Sequence, residues 1–191
     1  MAEQQQQQTD LWIFGYGSLI WKPPPHTQEA IPGFIRGYIR RFWQASEDHR
    51  GTPEAPGRVV TLIPREEWAT MKDYHQTPEY DVTWGVVYKI DPRYRGKVQQ
   101  DLDFREKNGY TIHNVDVYEH ENAPKPRVRD AFVYIGTVEN PQFVGPAQDA
   151  ASLARHIFHS VGPSGPNKDY LYKLAHELQQ LSPEVSSQEA S

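Results

Sequence analysis

Leu11-Trp12-Ile13-Phe14-Gly15-Tyr16-Gly17-Ser18-Leu19-Ile20 sets the terms for the whole chain. Leu11 to Phe14 is a short apolar run stopped by Gly15, the pattern of a buried strand running into a loop. The two glycines let backbone amides approach a ligand closely. Successive N–H groups in such a loop form an anion-binding nest; an ordinary tight turn fits the same spacing. The stretch is not a dinucleotide fingerprint, because Ile20 holds the place of the third glycine in G-x-G-x-x-G. No Gly-Lys-Ser/Thr follows, so a phosphate P-loop fails too. Ser18 is not in a nucleophile elbow, since Tyr16 stands where the first glycine of G-x-S-x-G belongs.

Strand patterns continue beyond the loop. Phe34 to Trp43 partly fits a helix, but Gly37 and the Ile, Tyr, Phe and Trp content favour a strand. Val59 to Ile63 and Val82 to Ile90 are β-branched runs, with Gly85 marking a bulge or close packing in the second. Tyr110 to Tyr118 and Phe132 to Ile135 complete the strands. Asp91-Pro92 is a helix start, with Asp as N-cap and Pro at the first helical position. Tyr94, Val98 and Leu102 follow at four-residue spacing, and Gly109 is placed for a left-handed C-cap near Asn108. A second helix is predicted over Ala147 to Ser160, with Ala150, Leu153, Ala154, Ile157 and Phe158 on one face and Gly162 as its stop. Asn167 caps a third, with Tyr170, Leu171, Leu174, Ala175, Leu178 and Leu181 inward, ended by Pro183. Strands first and helices late predict an α+β fold with a mostly antiparallel sheet or small barrel, not a repeated βαβ wind.

The 191 residues fit one domain over 11–181, between a Gln-rich tail at 1–10 and a small, polar tail at 182–191 that have little to bury. A net charge of -5 argues against a nonspecific nucleic-acid binder. Arg36, Arg40 and Arg41 lie beside aromatics; an RNA platform is one account of them and a solvated strand edge the favoured one. There is no cysteine, hence no disulfide, thiolate nucleophile or cysteine metal site. The N-terminus lacks the pattern of a secretory signal, and no apolar run approaches the ~20 residues of a membrane span. The expectation is a soluble cytoplasmic protein with no membrane or nucleic-acid partner. His156 and His159 are three apart with no third ligand spaced to them, so neither a metal nor a cofactor is expected.

Phe104-Arg105-Glu106-Lys107-Asn108-Gly109-Tyr110 is the second chemical candidate. Glu106 falls near a helix C-terminus, where the macrodipole disfavours negative charge and raises proton affinity. A carboxylate tuned upward suits a general base for an amine. A surface Glu paired with Lys or Arg is the plainer alternative.

Several stretches together resemble the ChaC family of γ-glutamylcyclotransferases, in its glutathione-specific branch. They are Ile13 to Pro23 (IFGYGSLIWKP), Arg36-Gly37-Tyr38, Arg40 to Gln44 (RRFWQ), His49-Arg50-Gly51-Thr52, Pro56 to Leu62 (PGRVVTL), Trp84-Gly85-Val86, Arg105 to Tyr110 and Gly145-Pro146-Ala147. The resemblance runs from about Leu11 to Leu181. It implies a γ-glutamylcyclotransferase-like small mixed or antiparallel β-barrel flanked by helices. It also implies a loop, Gly15, Tyr16, Gly17, Ser18, Leu19 and Ile20, that cradles a γ-glutamyl group, and Glu106 as the catalytic glutamate. Sister branches share the YGSL loop but usually lack the FWQ…HRGTPEAPGRVVTL block, so reduced glutathione is the implied substrate. Other γ-glutamyl amines, or a non-catalytic binding module with the same pocket, are the alternatives. Arg58, Tyr110 and Tyr134 are further pocket candidates, each of which also fits a structural role.

The implied reaction needs neither nucleophilic side chain nor metal: the substrate's own α-amine attacks its γ-carbonyl. A free Glu has a pKa of about 4.3 and an α-amine about 7.7–8, so untuned proton transfer is uphill by about 5 kcal/mol. Burial of Glu106, a depressed ammonium pKa, and an apolar pocket lined by Tyr and Trp are therefore expected.

Overall fold

The computed structural model describes residues 10–74, 82–106, 109–147 and 149–181; the side chains at 102, 103, 105 and 106 fall outside it. In chain order the strands are β1 (Leu11–Gly15), β2 (Thr27–Arg36), β3 (Tyr38–Ser46), β4 (Gly57–Pro64), β5 (Val82–Ile90), β6 (Thr111–Val117), β7 (Val128–Ile135), β8 (Val161–Gly162) and β9 (Gly165–Pro166). The helices are α1 (Arg65–Trp68), α2 (Arg95–Glu106), α3 (Ala150–His159) and α4 (Asn167–Leu181).

Five strands form one mixed sheet in the order β2-β5-β1-β7-β6. β1 lies centrally, antiparallel to β5 from Leu11↔Ile90 to Gly15↔Val86, and parallel to β7 at Ile13↔Phe132. β3 and β4 make a separate antiparallel pair. The α+β class is as expected, but the sheet does not close into a barrel by a continuous ladder. Its edges meet at one antiparallel bridge, where Phe34 and Tyr118 exchange N–H···O bonds of 2.8 and 2.9 Å. A Cβ on Gly33 would lie 2.7 Å from the Tyr118 carbonyl oxygen, so only glycine lets the strands meet there.

The predicted strand over Phe34 to Trp43 is two strands broken at Gly37, whose φ of +79° glycine adopts freely. Gly85 marks close packing and not a bulge: it pairs in register with Gly33, and a Cβ on it would run into the Gly15 carbonyl oxygen and approach Phe14 Cζ to 2.7 Å. The core is built from Phe14, Ile35, Leu62, Val87, Val133 and Ile135 between the sheet, the β3–β4 pair and α4. A second cluster, Leu11, Ile13, Ile90, Val98 and Tyr134, seats α2 on the other face.

The predicted helices need adjustment. Asp91 caps as expected, accepting the Arg93 N–H at 2.9 Å, but Pro92–Tyr94 is a 3-10 turn before α2 starts. Tyr94 does not join a buried stripe; it is 39% exposed and stacks on His26 at 3.7 Å. On α3 only Ile157 is buried, with Phe158 53% exposed, and Ser160, not Gly162, closes the helix. α4 buries Tyr170, Leu174 and Leu178 as predicted. Asn167 spends its side chain on the Arg58 backbone of β4. The basic cluster is a solvated edge only in part: Arg36 is exposed at the end of edge strand β2, but Arg40 is buried and donates to the Trp84 carbonyl, and Arg41 pairs with Asp73 at 2.6 Å. Residues 1–9 and 182–191, which hold most of both predicted tails, and the predicted helix end at Asn108 fall outside the described residues.

Candidate active site

An anion-binding loop must turn its carbonyls away and leave amides facing the ligand. The loop after β1 does the first. Gly17 O accepts the Ile20 N–H at 3.0 Å, and Ser18 O accepts those of Trp21 and Lys22 at 3.3 and 2.9 Å. The Tyr88 hydroxyl, reaching across from β5, donates to Leu19 O at 2.7 Å and Ile20 O at 3.2 Å. All four carbonyls from Gly17 to Ile20 are thus engaged. Among the described residues, the amides of Gly17, Ser18 and Leu19 have no backbone acceptor.

Gly15 is sterically required and Gly17 is tightly packed. A Cβ on Gly15 would lie 2.6 Å from Leu19 Cβ, because Ser18–Ile20 folds back as a 3-10 turn. A Cβ on Gly17 would meet Tyr170 Oη at 3.0 Å and Val60 Cγ2 at 3.1 Å. Tyr16 and Ile20 are buried, Leu19 is half-buried and Ser18 is exposed.

The Tyr16 hydroxyl donates to Tyr134 O at 2.8 Å, tying the loop to the end of β7. Burial, with Tyr110 and Tyr170 nearby, pushes its pKa far above the ordinary tyrosine value, so it is a neutral donor. Tyr110 thereby belongs to the neighbourhood of Tyr16, as does the side chain of Thr61. Tyr134 presents its carbonyl to Tyr16 while its ring packs in the cluster with Val98 of α2. The structure therefore brings Tyr16, Tyr110 and Tyr134 together.

Arg58 lies on β4, two residues before Val60. Asn167 holds its backbone, and its Nη1 donates to Gly57 O at 3.0 Å. No carboxylate pairs with it among the described residues, and burial without an anion lowers its pKa from the usual guanidinium range.

Glu106 is the last residue of α2, at the negative end of the helix dipole as predicted; its side chain falls outside the described residues. The chain beyond it is anchored at Gly109, in the left-handed region at φ +82°. The Asn140 side chain donates to Gly109 O at 2.7 Å and accepts from Gln44 Nε2 at 3.3 Å. Buried Asn140 and Gln44 thus fix Gly109 to β3.

Tyr88, Thr61, Asn140 and Tyr170 carry no local sequence signal of a site; each acts across a large sequence separation. An open depression of about 680 Å³ lies elsewhere, lined by Thr52, Ala55, Arg155, His156, His159, Ser160 and Val161. It contains none of the predicted site residues, and His156 Nε2 is already engaged with the Pro56 carbonyl at 2.7 Å.

Strand, glycine loop and neighbouring tyrosines occur in a fold that solved γ-glutamyl cyclotransferases share. The yeast γ-glutamyl cyclotransferase specific to glutathione superposes with a TM-score of 0.77 at 41% identity, over 90% of this chain and 87% of that one. Another solved γ-glutamyl cyclotransferase, 14% identical with a TM-score of 0.53, shares the fold alone. The family model for ChaC-like proteins matches residues 11–190, and the chain belongs to that family. Among relatives, the glutathione-specific gamma-glutamylcyclotransferase of Schizosaccharomyces pombe is 50% identical, covering 91% of this chain and 85% of its own length. That of Saccharomyces cerevisiae is 44% identical over 90% and 86%. Human glutathione-specific gamma-glutamylcyclotransferase 1 is 37% identical over 93% and 74%.

Proposed function

We propose that this protein is a glutathione-specific γ-glutamylcyclotransferase, which cleaves glutathione to 5-oxoproline and cysteinylglycine. Relatives of that name at 37–50% identity over most of the chain support the activity. The observation that carries the chemistry is the loop: four carbonyls engaged and three amides with no backbone acceptor among the described residues.

In the proposed reaction the α-amine nitrogen of the γ-glutamyl residue attacks its own γ-carbonyl carbon. A carbon–nitrogen bond forms within the five-membered ring as the bond to the cysteine nitrogen breaks. One proton moves from the attacking nitrogen to the departing one, and no water is consumed. Holding the γ-glutamyl arm folded makes the step effectively unimolecular. Glu106 takes the amine proton and returns it to the leaving nitrogen; its place at the end of α2 supports a raised proton affinity. The amides of Gly17, Ser18 and Leu19 hold the substrate carboxylate or the developing oxyanion. Gly15 and Ile20 shape the turn, and Tyr16, Tyr110 and Tyr134 wall it. Arg58, a half-buried cation with no carboxylate partner among the described residues, is assigned to substrate recognition. The compartment proposed is the cytoplasm, where a chain without cysteine needs no oxidising environment. No helix among the described residues is long and apolar enough to cross a membrane.

The test is product analysis after incubation with reduced glutathione, with γ-glutamylalanine in parallel. Equal release of 5-oxoproline and cysteinylglycine, and little turnover of γ-glutamylalanine, is expected. Glu106→Gln should lose about 100-fold or more in kcat while folding normally. Unchanged turnover in that variant would remove Glu106 from the mechanism.

A further inference from the structure

Three tyrosine hydroxyls surround the glycine loop. Tyr16 donates its proton to the Tyr134 carbonyl at 2.8 Å, and Tyr88 donates to the Leu19 carbonyl at 2.7 Å. Tyr170, from α4, differs. Its oxygen accepts the Val60 N–H at a long 3.4 Å, and its own proton has no acceptor among the described residues. That oxygen lies against the middle of the loop, within 3.0 Å of where a Gly17 Cβ would be.

The ring has little freedom to turn the hydroxyl elsewhere. It is 5% exposed. Trp21 meets it edge-on at 5.4 Å and Phe42 at 6.0 Å, and the Arg50 guanidinium stands 5.9 Å from its centroid. Burial keeps the phenol protonated, far above the ordinary tyrosine pKa, against the opposing pull of the Val60 N–H, Arg40 and Arg50. A buried donor with no acceptor costs free energy unless a partner arrives, and the described residues offer this one none. A ligand oxygen on the loop is such a partner.

We propose that Tyr170 is a substrate-contacting residue of this site, donating its hydroxyl proton to an oxygen of the γ-glutamyl group held by the Gly17 to Leu19 amides. The inference rests on the cyclotransferase activity proposed above and adds a neutral side-chain donor to the backbone donors. It also accounts for glycine at position 17: any Cβ there would crowd the hydroxyl it must work beside.

Tyr170→Phe keeps the ring and removes only the hydroxyl. Steady-state kinetics with reduced glutathione and thermal unfolding, run beside wild type, test the role. The expected result is a kcat/KM lower by about tenfold, the worth of one hydrogen bond to substrate, with an unfolding midpoint close to wild type. A kcat/KM within twofold of wild type overturns the inference and leaves the cyclotransferase activity standing. Wild type without 5-oxoproline release would remove the activity and this inference with it. Should the Phe variant not fold, 3-fluorotyrosine at position 170 keeps shape and hydroxyl while lowering the phenol pKa. With a substrate contact kcat/KM then moves away from wild type; without one it stays.

Discussion

Asn167 clamps Arg58 by both of its backbone polar atoms: the Arg58 N–H donates to Oδ1 at 2.7 Å, and Nδ2 donates to the Arg58 carbonyl at 2.8 Å. Fully buried at the first residue of α4, this side chain locks the helix that carries Tyr170 to the strand that carries Val60. Asn167→Ala would leave two backbone groups without partners, and Asn167→Asp would set a carboxylate oxygen against a carbonyl. Each buried unsatisfied group costs about 1–3 kcal/mol, so Asn167→Ala should lower stability by about 2 kcal/mol or more. Urea unfolding checks it; an unshifted midpoint would mean the clamp is idle.

Tyr88 holds two carbonyls of the glycine loop, the loop proposed to bind substrate, by its hydroxyl. Tyr88→Phe frees Leu19 O and Ile20 O to turn, so KM for glutathione should rise several-fold. Stability should fall by about 1–3 kcal/mol for the partners left behind. Burial, and then the charge of Glu177, push the Tyr88 pKa up to about 12. The fold therefore favours the neutral phenol. Its contribution is complete below the ordinary value of 10.0 and drains as pH rises towards 12. Unfolding followed between pH 9 and 12 should show a shallower alkaline decline in the Phe variant; parallel curves would contradict this.

Asp91 works in the opposite direction. Its hydrogen bonds to the Arg93 side chain and backbone lower its pKa from 3.8 to about 2. The folded state prefers the carboxylate, so the contribution is complete above the ordinary value and lost as pH falls towards 2. Asp91→Asn should reduce the unfolding temperature at pH 7, and the gap from wild type should narrow between pH 4 and pH 2. A gap of constant size across that range would show that the charge contributes nothing.

The parts of this fold that could be seen in advance are those encoded by neighbouring residues. β5 spans Val82–Ile90 as its β-branched pattern predicts, and β1 ends at Gly15. β2 was hidden over Thr27 to Gly33, because TQEAIPG lacks alternation, carries only Thr27 and Ile31 as isolated β-branched residues, and has Pro32, which speaks against a strand. Pro32 is tolerated because β2 is an edge of the sheet, where one missing donor harms no ladder. The glycine loop was visible as a loop, but what orients it comes from afar: Tyr88 lies 69 residues from Leu19, and Tyr170 lies 110 from Val60. A helical stripe explains Tyr170 as core just as well, since periodicity places a side chain on a face and says nothing of its hydroxyl.

The Phe34–Tyr118 bridge has a bearing on how the molecule behaves in a crowded solution. Unpaired strand borders template edge-to-edge association between copies. Here the two borders satisfy one another at their point of meeting, and the Arg36 guanidinium lies 4.4 Å from the Tyr118 ring centroid, posting a positive charge on the seam. A substitution that enlarges Gly33 would part the seam and uncover hydrogen-bonding groups on both strands at once, making self-association, and not unfolding alone, the hazard of damage at that residue.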